Sequence, residues 1–265
     1  MALCPLGGGA ELYYETHGSG RPVVLVPGLG GVATFWARHL PALTPHFKVV
    51  MYDHRGCGRS SHDRVTPYSV DRMAHDVLAL MDHLGIAHTH FIGHSTGGAI
   101  GQVLALDHPE RIDRLFLSAT WSHADAYFRQ LFESRLAMLE HVGPDAYGRL
   151  GALFFYNPAY FRDHVAEMEA AQAASTIPAT PPEIVAARLR ALLAFDRAAA
   201  LPNIRHRTMV ACARDDVITP AYFSQTIAAA IPDARLHVVP DGGHFYNHVR
   251  PGEFERRAID FLTAS

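Results

Sequence analysis

The sequence predicts an α/β fold with a largely parallel sheet, because short β-rich runs alternate with helical patterns along most of its 265 residues. Hydrophobic residues make up 49% of the chain, which is enough for a substantial core. A chain of this length normally forms one large domain or two small ones. The formal charge of −3 provides no basic surface, so we expect neither nucleic acid nor a membrane as a partner.

The first half of the chain carries the clearest strand patterns. Residues 11–15 resemble a lead-in strand, and residues 22–26 form the continuous apolar run that a strand covered on both faces requires. A helix over 69–84 is predicted by apolar residues on one face and by Ser69 as its N-cap. The other elements expected here are a helix at 35–43 and strands at 48–52, 90–92 and 115–117. A helix of small residues is expected directly after the strand at 90–92.

The alternation stops between residues 121 and 195. This stretch has helical patterns separated by Gly and Pro and contains no clear strand, so we expect an inserted helical lid. The predicted organisation is an α/β core of residues 1–120 and 196–265 that carries a lid of residues 121–195. Alternation resumes with expected strands at 208–212 and 235–239 and expected helices at 222–230 and 253–262.

Residues 93–97, with the sequence GHSTG, match the G-x-S-x-G nucleophile elbow between a strand and a helix. The flanking glycines are needed because so tight a turn strains the serine backbone and leaves no room for larger neighbours. Ser95 would then stand at the carboxyl edge of the sheet, beside the unpaired N–H groups of a helix N-terminus. A simple Gly/Ser-rich turn is the alternative.

A serine hydroxyl needs a base, and the base needs an orienting acid. His244 and Asp216 follow the last two predicted strands, so both lie at the same sheet edge as Ser95. Asp215 is a rival acid, although the four-residue interval to Pro220 favours Asp216. His248 is a rival base that we expect to line the site or lie at the surface.

The loop of residues 27–31, PGLGG, leaves the first apolar strand. The backbone N–H groups of Leu29 and of Thr96, the residue after the nucleophile, are therefore the candidate oxyanion hole. A phosphate-binding loop is the alternative reading. Neither G-x-x-x-x-G-K-[ST] nor G-x-G-x-x-G is present, so nucleotide binding is not expected.

Metal and redox chemistry are not indicated. Cys4, Cys57 and Cys212 lie far apart, which excludes a disulfide framework or a CxxC motif, and no HExxH occurs among the 18 histidines. We expect no cofactor. The N-terminus lacks a basic region followed by an apolar run, which favours a cytoplasmic protein, and the single lysine among many arginines is typical of a GC-rich bacterial genome.

With these motifs in place, the sequence resembles the α/β-hydrolase-fold serine hydrolases over essentially its whole length. Residues 53–60, DHRGCGRS, match the family's D-x-R-G-x-G-x-S loop, which helps to shape the mouth of the site. The resemblance implies a mostly parallel eight-stranded sheet with helices on both faces and an inserted lid. Pro27-Gly28 replaces the His-Gly of many members, but the oxyanion donor is a backbone group, so catalysis should persist. We expect a monomer or a homodimer.

Within the family the chain is most similar to the aminoacrylate hydrolases of pyrimidine degradation and then to the 3-oxoadipate enol-lactonases. Residues 27–31, 153–158, 195–196 and 242–248 carry this similarity. It implies a serine esterase or lactonase that acylates Ser95 with a small ester, lactone or activated amide or enamine. Two alternatives stay open: hydrolysis of a carbon–carbon bond in a vinylogous diketone, and a non-catalytic ligand receptor on the same fold. Haloalkane dehalogenases and epoxide hydrolases are disfavoured because they use an aspartate nucleophile.

The lid is rich in aromatic residues that can wall a pocket over Ser95, although most of them are expected to pack within the lid itself. The residues predicted to line the pocket are Gly28, His94, Trp121, Phe155, Tyr156 and Phe245. A lid arginine would be needed to select an anionic substrate, since the global charge does not favour one. The candidates are Arg129, Arg135, Arg149 and Arg162, each with a solvated surface position as its alternative.

Overall fold

The computed structural model describes residues 2–62 and 68–264, and its centre is an eight-stranded sheet. The strands lie in the order β1-β2-β4-β3-β5-β6-β7-β8, in which β1 and β2 are antiparallel additions to six parallel strands. This confirms the predicted α/β architecture. The strands are β1 (Ala2–Pro5), β2 (Glu11–His17), β3 (Pro22–Val26), β4 (Lys48–Tyr52), β5 (Thr89–His94), β6 (Ile112–Ser118), β7 (Arg207–Ala213) and β8 (Arg235–Val239).

Helices cover both faces of the sheet, and each face has its own apolar cluster. Along β3, Val24 and Val26 enter one cluster and Val23 and Leu25 enter the other, because side chains alternate along a strand. Both faces of β3 are therefore buried. The helices are α1 (Leu40–Leu43), α2 (Val70–His83), α3 (Thr96–Asp107), α4 (Ala126–His141), α5 (Pro144–Phe155), α6 (Pro158–Ala173), α7 (Pro182–Ala194), α8 (Ala221–Ala230), α9 (Tyr246–Val249) and α10 (Pro251–Thr263).

Two elements in the first 45 residues differ from the sequence prediction. The edge strand β1 was not predicted, because it has four residues of which only Cys4 is buried, too few to show an alternating pattern. The helix predicted over 35–43 is instead a 3-10 helix (Ala33–His39) followed by the short helix α1. Pro41 lacks the N–H that would continue α-helical bonding, and Leu40 N–H donates to the carbonyl of Ala37 in the tighter i→i−3 pattern.

Four helices, α4 to α7, lie between β6 and β7, in the segment predicted to be a lid (121–195). An antiparallel bridge between His123 and Asp196 closes the base of this segment, and Arg197 N–H donates to the carbonyl of Ser122 at 2.8 Å. The chain thus leaves and re-enters the sheet layer at one place, as an insertion requires. None of the helices in the described ranges is both long and apolar enough to span a bilayer.

Candidate active site

Ser95 stands on a strained turn between β5 and α3. Its φ of 55° and ψ of −116° lie in a region that residues other than glycine rarely adopt. A side chain at Gly93 would collide with the carbonyl of Gly97, and one at Gly97 would collide with the carbonyl of Val26. The two glycines are therefore required by contact distances at this turn.

Hydrogen bonds from the neighbouring strand hold this strained serine. Ser95 N–H donates to the carbonyl of Ser118 at 2.8 Å, and Thr120 Oγ1 donates to the carbonyl of Ser95 at 2.8 Å. Both partners lie at the end of β6 or just beyond it, so the sheet itself fixes the turn. Ser95 is 6% exposed, and its side chain faces the cavity described below.

His244 and Asp216 come together on the loops that follow β8 and β7. His244 Nδ1 lies 2.8 Å from Asp216 Oδ2, with both side chains at 3% exposure or less. The carboxylate also accepts hydrogen bonds from the N–H groups of Ile218 and Thr219 at Oδ1 and from Thr219 Oγ1 at Oδ2. Its position is therefore fixed on both oxygens, and His244 Nε2 has no hydrogen-bond partner among the described residues.

The two rival residues, Asp215 and His248, bind other groups. Asp215 accepts hydrogen bonds from the N–H groups of Gly242 and Gly243 at 3.2 and 2.9 Å, so it joins the loop after β7 to the loop after β8. His248 Nε2 lies 2.9 Å from the carbonyl of Phe35, and burial lowers the pKa of this imidazole to about 4. Neither contacts His244 through a hydrogen bond among the described residues.

Ser95 and His244 line one cavity but are not joined by a hydrogen bond in the described part of the chain. Catalytic hydrogen bonds are often long without substrate and shorten in the complex, so this separation is compatible with a serine–histidine pair. The structure brings Asp216 to His244 and places His244 in the wall of the cavity that Ser95 lines.

The loop after β3 packs directly against the serine. A Cβ on Gly28 would lie 3.2 Å from Ser95 Cβ, so the backbone just before Leu29 lies against the candidate nucleophile. Leu29 N–H has no partner among the described residues, and Thr96 N–H is at the first turn of α3, where no helical acceptor is available. These are the two donors expected of an oxyanion hole.

Two buried side chains that the sequence analysis missed hold this loop from behind. His54 Nε2 lies 3.1 Å from the carbonyl of Pro27, and Arg188 Nε donates to the carbonyl of Leu29 at 3.3 Å. Burial lowers the pKa of His54 to about 3, and the nearby Arg188 adds to this, so the ring is neutral and donates. Arg188 comes from α7 in the lid segment and is fully buried, a contact that no sequence motif signals.

The loop of residues 53–60 supports the same region. Asp53 accepts hydrogen bonds from Ala33 N–H at 2.7 Å and from the guanidinium of Arg59, while Ser60 Oγ donates back to the carbonyl of Asp53 at 2.6 Å. A side chain at Gly58 would strike the carboxylate of Asp53. The motif is thus a turn held by hydrogen bonds among its own residues. Its bond to Ala33 also fixes the chain just beyond the candidate oxyanion loop.

A polar network lies next to His244. His94 Nδ1 is 3.1 Å from Ser118 Oγ, which is 3.0 Å from the hydroxyl of Tyr246. Burial and then the neighbouring His244 hold the pKa of His94 well below its usual value, so His94 is neutral. Its ring centre is 4.9 Å from that of His244, so the His94 ring packs against the ring of the candidate base.

A cavity of about 490 Å³ opens above the serine between the sheet edge and the lid segment. This volume is typical of a site for a small molecule. Of the residues predicted to line the pocket, Gly28, Phe155 and Phe245 do so, together with Leu29, Ser95 and His244. Phe155 and Phe245 stack at 4.5 Å and form one wall.

The other three predicted pocket residues lie elsewhere. His94 is beneath the site, Trp121 is fully buried against Phe128, and Tyr156 packs edge-on against the ring of Phe245. They are not among the described residues that line the cavity. Tyr147, whose side chain does reach the cavity, was not selected because spacing along a helix does not show which face is turned to the site.

The chain is similar to a known protein family, to named relatives and to solved structures. A family model described as the alpha/beta hydrolase fold matches residues 21–251. Proteins assigned the name carbamate hydrolase RutD are similar over 96% of both chains: one from Azorhizobium caulinodans at 40% identity and one from Caulobacter vibrioides at 41%. A solved hydrolase from Pseudomonas aeruginosa has a TM-score of 0.88 at 32% identity and covers 99% of this chain and 98% of its own. The enol-lactonase from Burkholderia xenovorans has a TM-score of 0.88 at 29% identity, with 97% and 98% covered.

Proposed function

We propose that this chain, which belongs to the α/β-hydrolase family and is a hydrolase, cleaves a small carboxylic ester, lactone or activated amide or enamine through an acyl-enzyme on Ser95. The observation that carries the proposal is the buried His244–Asp216 pair, joined at 2.8 Å, at the wall of the cavity that also contains the strained Ser95. A buried, oriented imidazole beside a serine is the arrangement that nucleophilic catalysis requires.

In the first step His244 Nε2 takes the proton of Ser95 as Oγ attacks the carbonyl carbon. The carbonyl oxygen becomes an oxyanion that accepts hydrogen bonds from Leu29 N–H and Thr96 N–H. His244 then gives the proton to the leaving group, and the acyl-enzyme remains. Water repeats the sequence: it loses a proton to His244, attacks the acyl carbon, and the proton returns to Ser95.

Asp216 has two tasks in this cycle. Its hydrogen bond keeps the proton of His244 on Nδ1, which leaves Nε2 free to act as the base. Its negative charge then stabilises the imidazolium that forms when the serine proton is transferred. The names of the similar proteins, carbamate hydrolase and enol-lactonase, favour a carbonyl bonded to nitrogen or oxygen as the group attacked.

A substrate panel tests the proposal. We expect turnover of 4-nitrophenyl acetate and of at least one small lactone or carbamate, together with complete inactivation by a fluorophosphonate that reacts with one residue per chain. Ser134→Ala removes a different serine, at an exposed position on α4. It is the control for the choice of Ser95 by the fluorophosphonate and should be inactivated like the wild type. Cleavage of a vinylogous diketone without any ester, lactone or carbamate turnover would contradict the proposal in favour of carbon–carbon hydrolysis.

A further inference from the structure

One lid arginine is buried in the wall of the cavity. Arg135 lies on α4 and is 3% exposed, and it lines the same cavity as Ser95 and His244. Among the described lining residues it is the one with a permanent charge, and none of those residues is acidic. Apart from the polar residues Thr34, Ser95, Tyr147, Thr180 and His244, the other described lining residues are apolar or glycine.

The partners of this guanidinium are few and uncharged. Arg135 Nη2 donates to the hydroxyl of Tyr147 at 3.1 Å, and Nε is buried without a hydrogen-bond partner among the described residues. The rings of Phe132, Tyr147 and Phe155 lie 5.0–5.7 Å from the guanidinium carbon. Aromatic faces attract a cation, but they do not accept the hydrogen bond that Nε could donate.

A second buried guanidinium increases the positive charge in this part of the molecule. Arg188 is fully buried, is bonded to backbone carbonyls, and has a buried Nη2 without a partner in the described ranges. Within those ranges the hydrogen-bond acceptors of the two arginines are the Tyr147 hydroxyl and backbone carbonyls, with no carboxylate among them. Burial lowers the pKa of Arg135, because the surrounding groups do not make up for the water that the charged guanidinium has lost. An unpaired buried charge is costly, so a site of this kind favours an anionic ligand.

We propose that Arg135 binds a carboxylate of the substrate and thereby restricts the site to small monoanionic acyl compounds; this deepens the proposed function and rests on it. The planar guanidinium can donate two parallel hydrogen bonds to a carboxylate. Gly151 lines the cavity beside this guanidinium: a Cβ there would lie 3.6 Å from Arg135 Nη2, at ordinary van der Waals distance. The acyl carbon would then be held at Ser95 by a contact on the lid side of the cavity.

The other candidate arginines do not compete for this role. Arg129, Arg149 and Arg162 are exposed, and Arg162 is paired with Asp163 at 2.7 Å. Arg129 shares helix α4 with Arg135 and has the same charge, so Arg129→Met is a matched control for Arg135→Met. Arg135→Lys keeps the charge but removes the planar fork.

The experiment compares monomethyl esters of malonate, succinate and glutarate with the corresponding dimethyl esters, with kcat/KM measured by titration of the released acid. We expect the wild type and Arg129→Met to favour the anionic ester of at least one length. In Arg135→Met the ratio of anionic to neutral kcat/KM should fall by roughly 10- to 100-fold, mainly through KM, and Arg135→Lys should recover part of it. Because the ratio compares two substrates on one protein, partial loss of folded enzyme cancels.

A binding measurement separates this proposal from the proposed function. Monomethyl glutarate should raise the Tm of Ser95→Ala more than dimethyl glutarate does, and adding Arg135→Met should remove the difference. Anion-selective binding without Ser95-dependent turnover would support the carboxylate site and overturn the acyl-enzyme. Turnover that depends on Ser95 but has the same anionic-to-neutral ratio in wild type and Arg135→Met, at all three lengths, would overturn the carboxylate site alone.

Discussion

Ser95→Ala should lower kcat/KM for a neutral ester by about 10⁴-fold or more, because it removes the atom that becomes acylated. The serine side chain is 6% exposed and faces the cavity, so alanine leaves the packing of the turn intact. We therefore expect the Tm to be unchanged or slightly raised, since strain at φ 55° costs an alanine no more than a serine. Steady-state kinetics and thermal unfolding on the same preparation measure both quantities.

His244→Ala should cost a similar factor, and Ser95→Ala/His244→Ala should cost little more than either single change. The two groups act as one unit, so their effects do not add. Additive losses in the double variant would contradict a shared proton-transfer step. Ser134→Ala on α4 is the control, since its side chain is exposed in the lid segment.

Asp216→Asn should also have a large effect, a loss of roughly 10⁴-fold in kcat with little change in structure. The reason lies in the bonds of the carboxylate. Asp216 Oδ1 accepts from the N–H groups of Ile218 and Thr219, so an asparagine must place its carbonyl there and its amide NH₂ towards His244. That amide donates to Nδ1, which puts the histidine proton on Nε2, where it blocks removal of the serine proton.

Asp215→Asn is the matched control for this change, because Asp215 is the preceding residue and also carries a loop hydrogen bond. Gly243 N–H donates to Asp215 Oδ1 at 2.9 Å, and the oxygen of an asparagine can still accept this hydrogen bond. We therefore expect less than a 10-fold loss in kcat. Measuring kcat of the two variants side by side decides whether Asp216 or Asp215 is the acid. A small effect of Asp216→Asn with a large effect of Asp215→Asn would assign the acid to Asp215.

The buried half of the fold was predictable because its signal is periodic. The apolar run of β3 and the apolar face of α2 each extend over enough residues to define a period, and Ser69 caps α2 by accepting from Arg72 N–H at 3.0 Å. β1 has four residues and one buried side chain, so its place is set by pairing with β2, which lies outside the local sequence. Propensity cannot show a strand that exists only through its partner.

The candidate site also combines residues that local sequence predicts and residues that only tertiary packing selects. Ser95, Asp216 and His244 lie next to strand ends, where local motifs and strand order bring them to one edge of the sheet. Residues of the predicted lid could not be selected from the sequence, since their contribution depends on which helix face is turned inwards. Arg135 is distinguished from its exposed neighbour Arg129 only by the packing of α4 against α5 and α7.

The contacts behind the oxyanion loop were not predictable for a related reason. His54 and Arg188 hold the loop by donating to backbone carbonyls, and a carbonyl is present at every residue. A side chain that recognises backbone leaves no complementary side chain in the sequence to point to it. Such contacts depend on tertiary packing and become visible only with coordinates.

In the proposed reaction Ser95 becomes acylated. The most direct measurement is to quench the protein in acid during turnover of 4-nitrophenyl acetate, digest it with pepsin, and locate the acetyl group by mass spectrometry. We expect the acetyl group on Ser95 in the wild type and on no residue in Ser95→Ala. Turnover at the full rate with the acetyl group on another residue, or undiminished turnover by Ser95→Ala, would contradict the account.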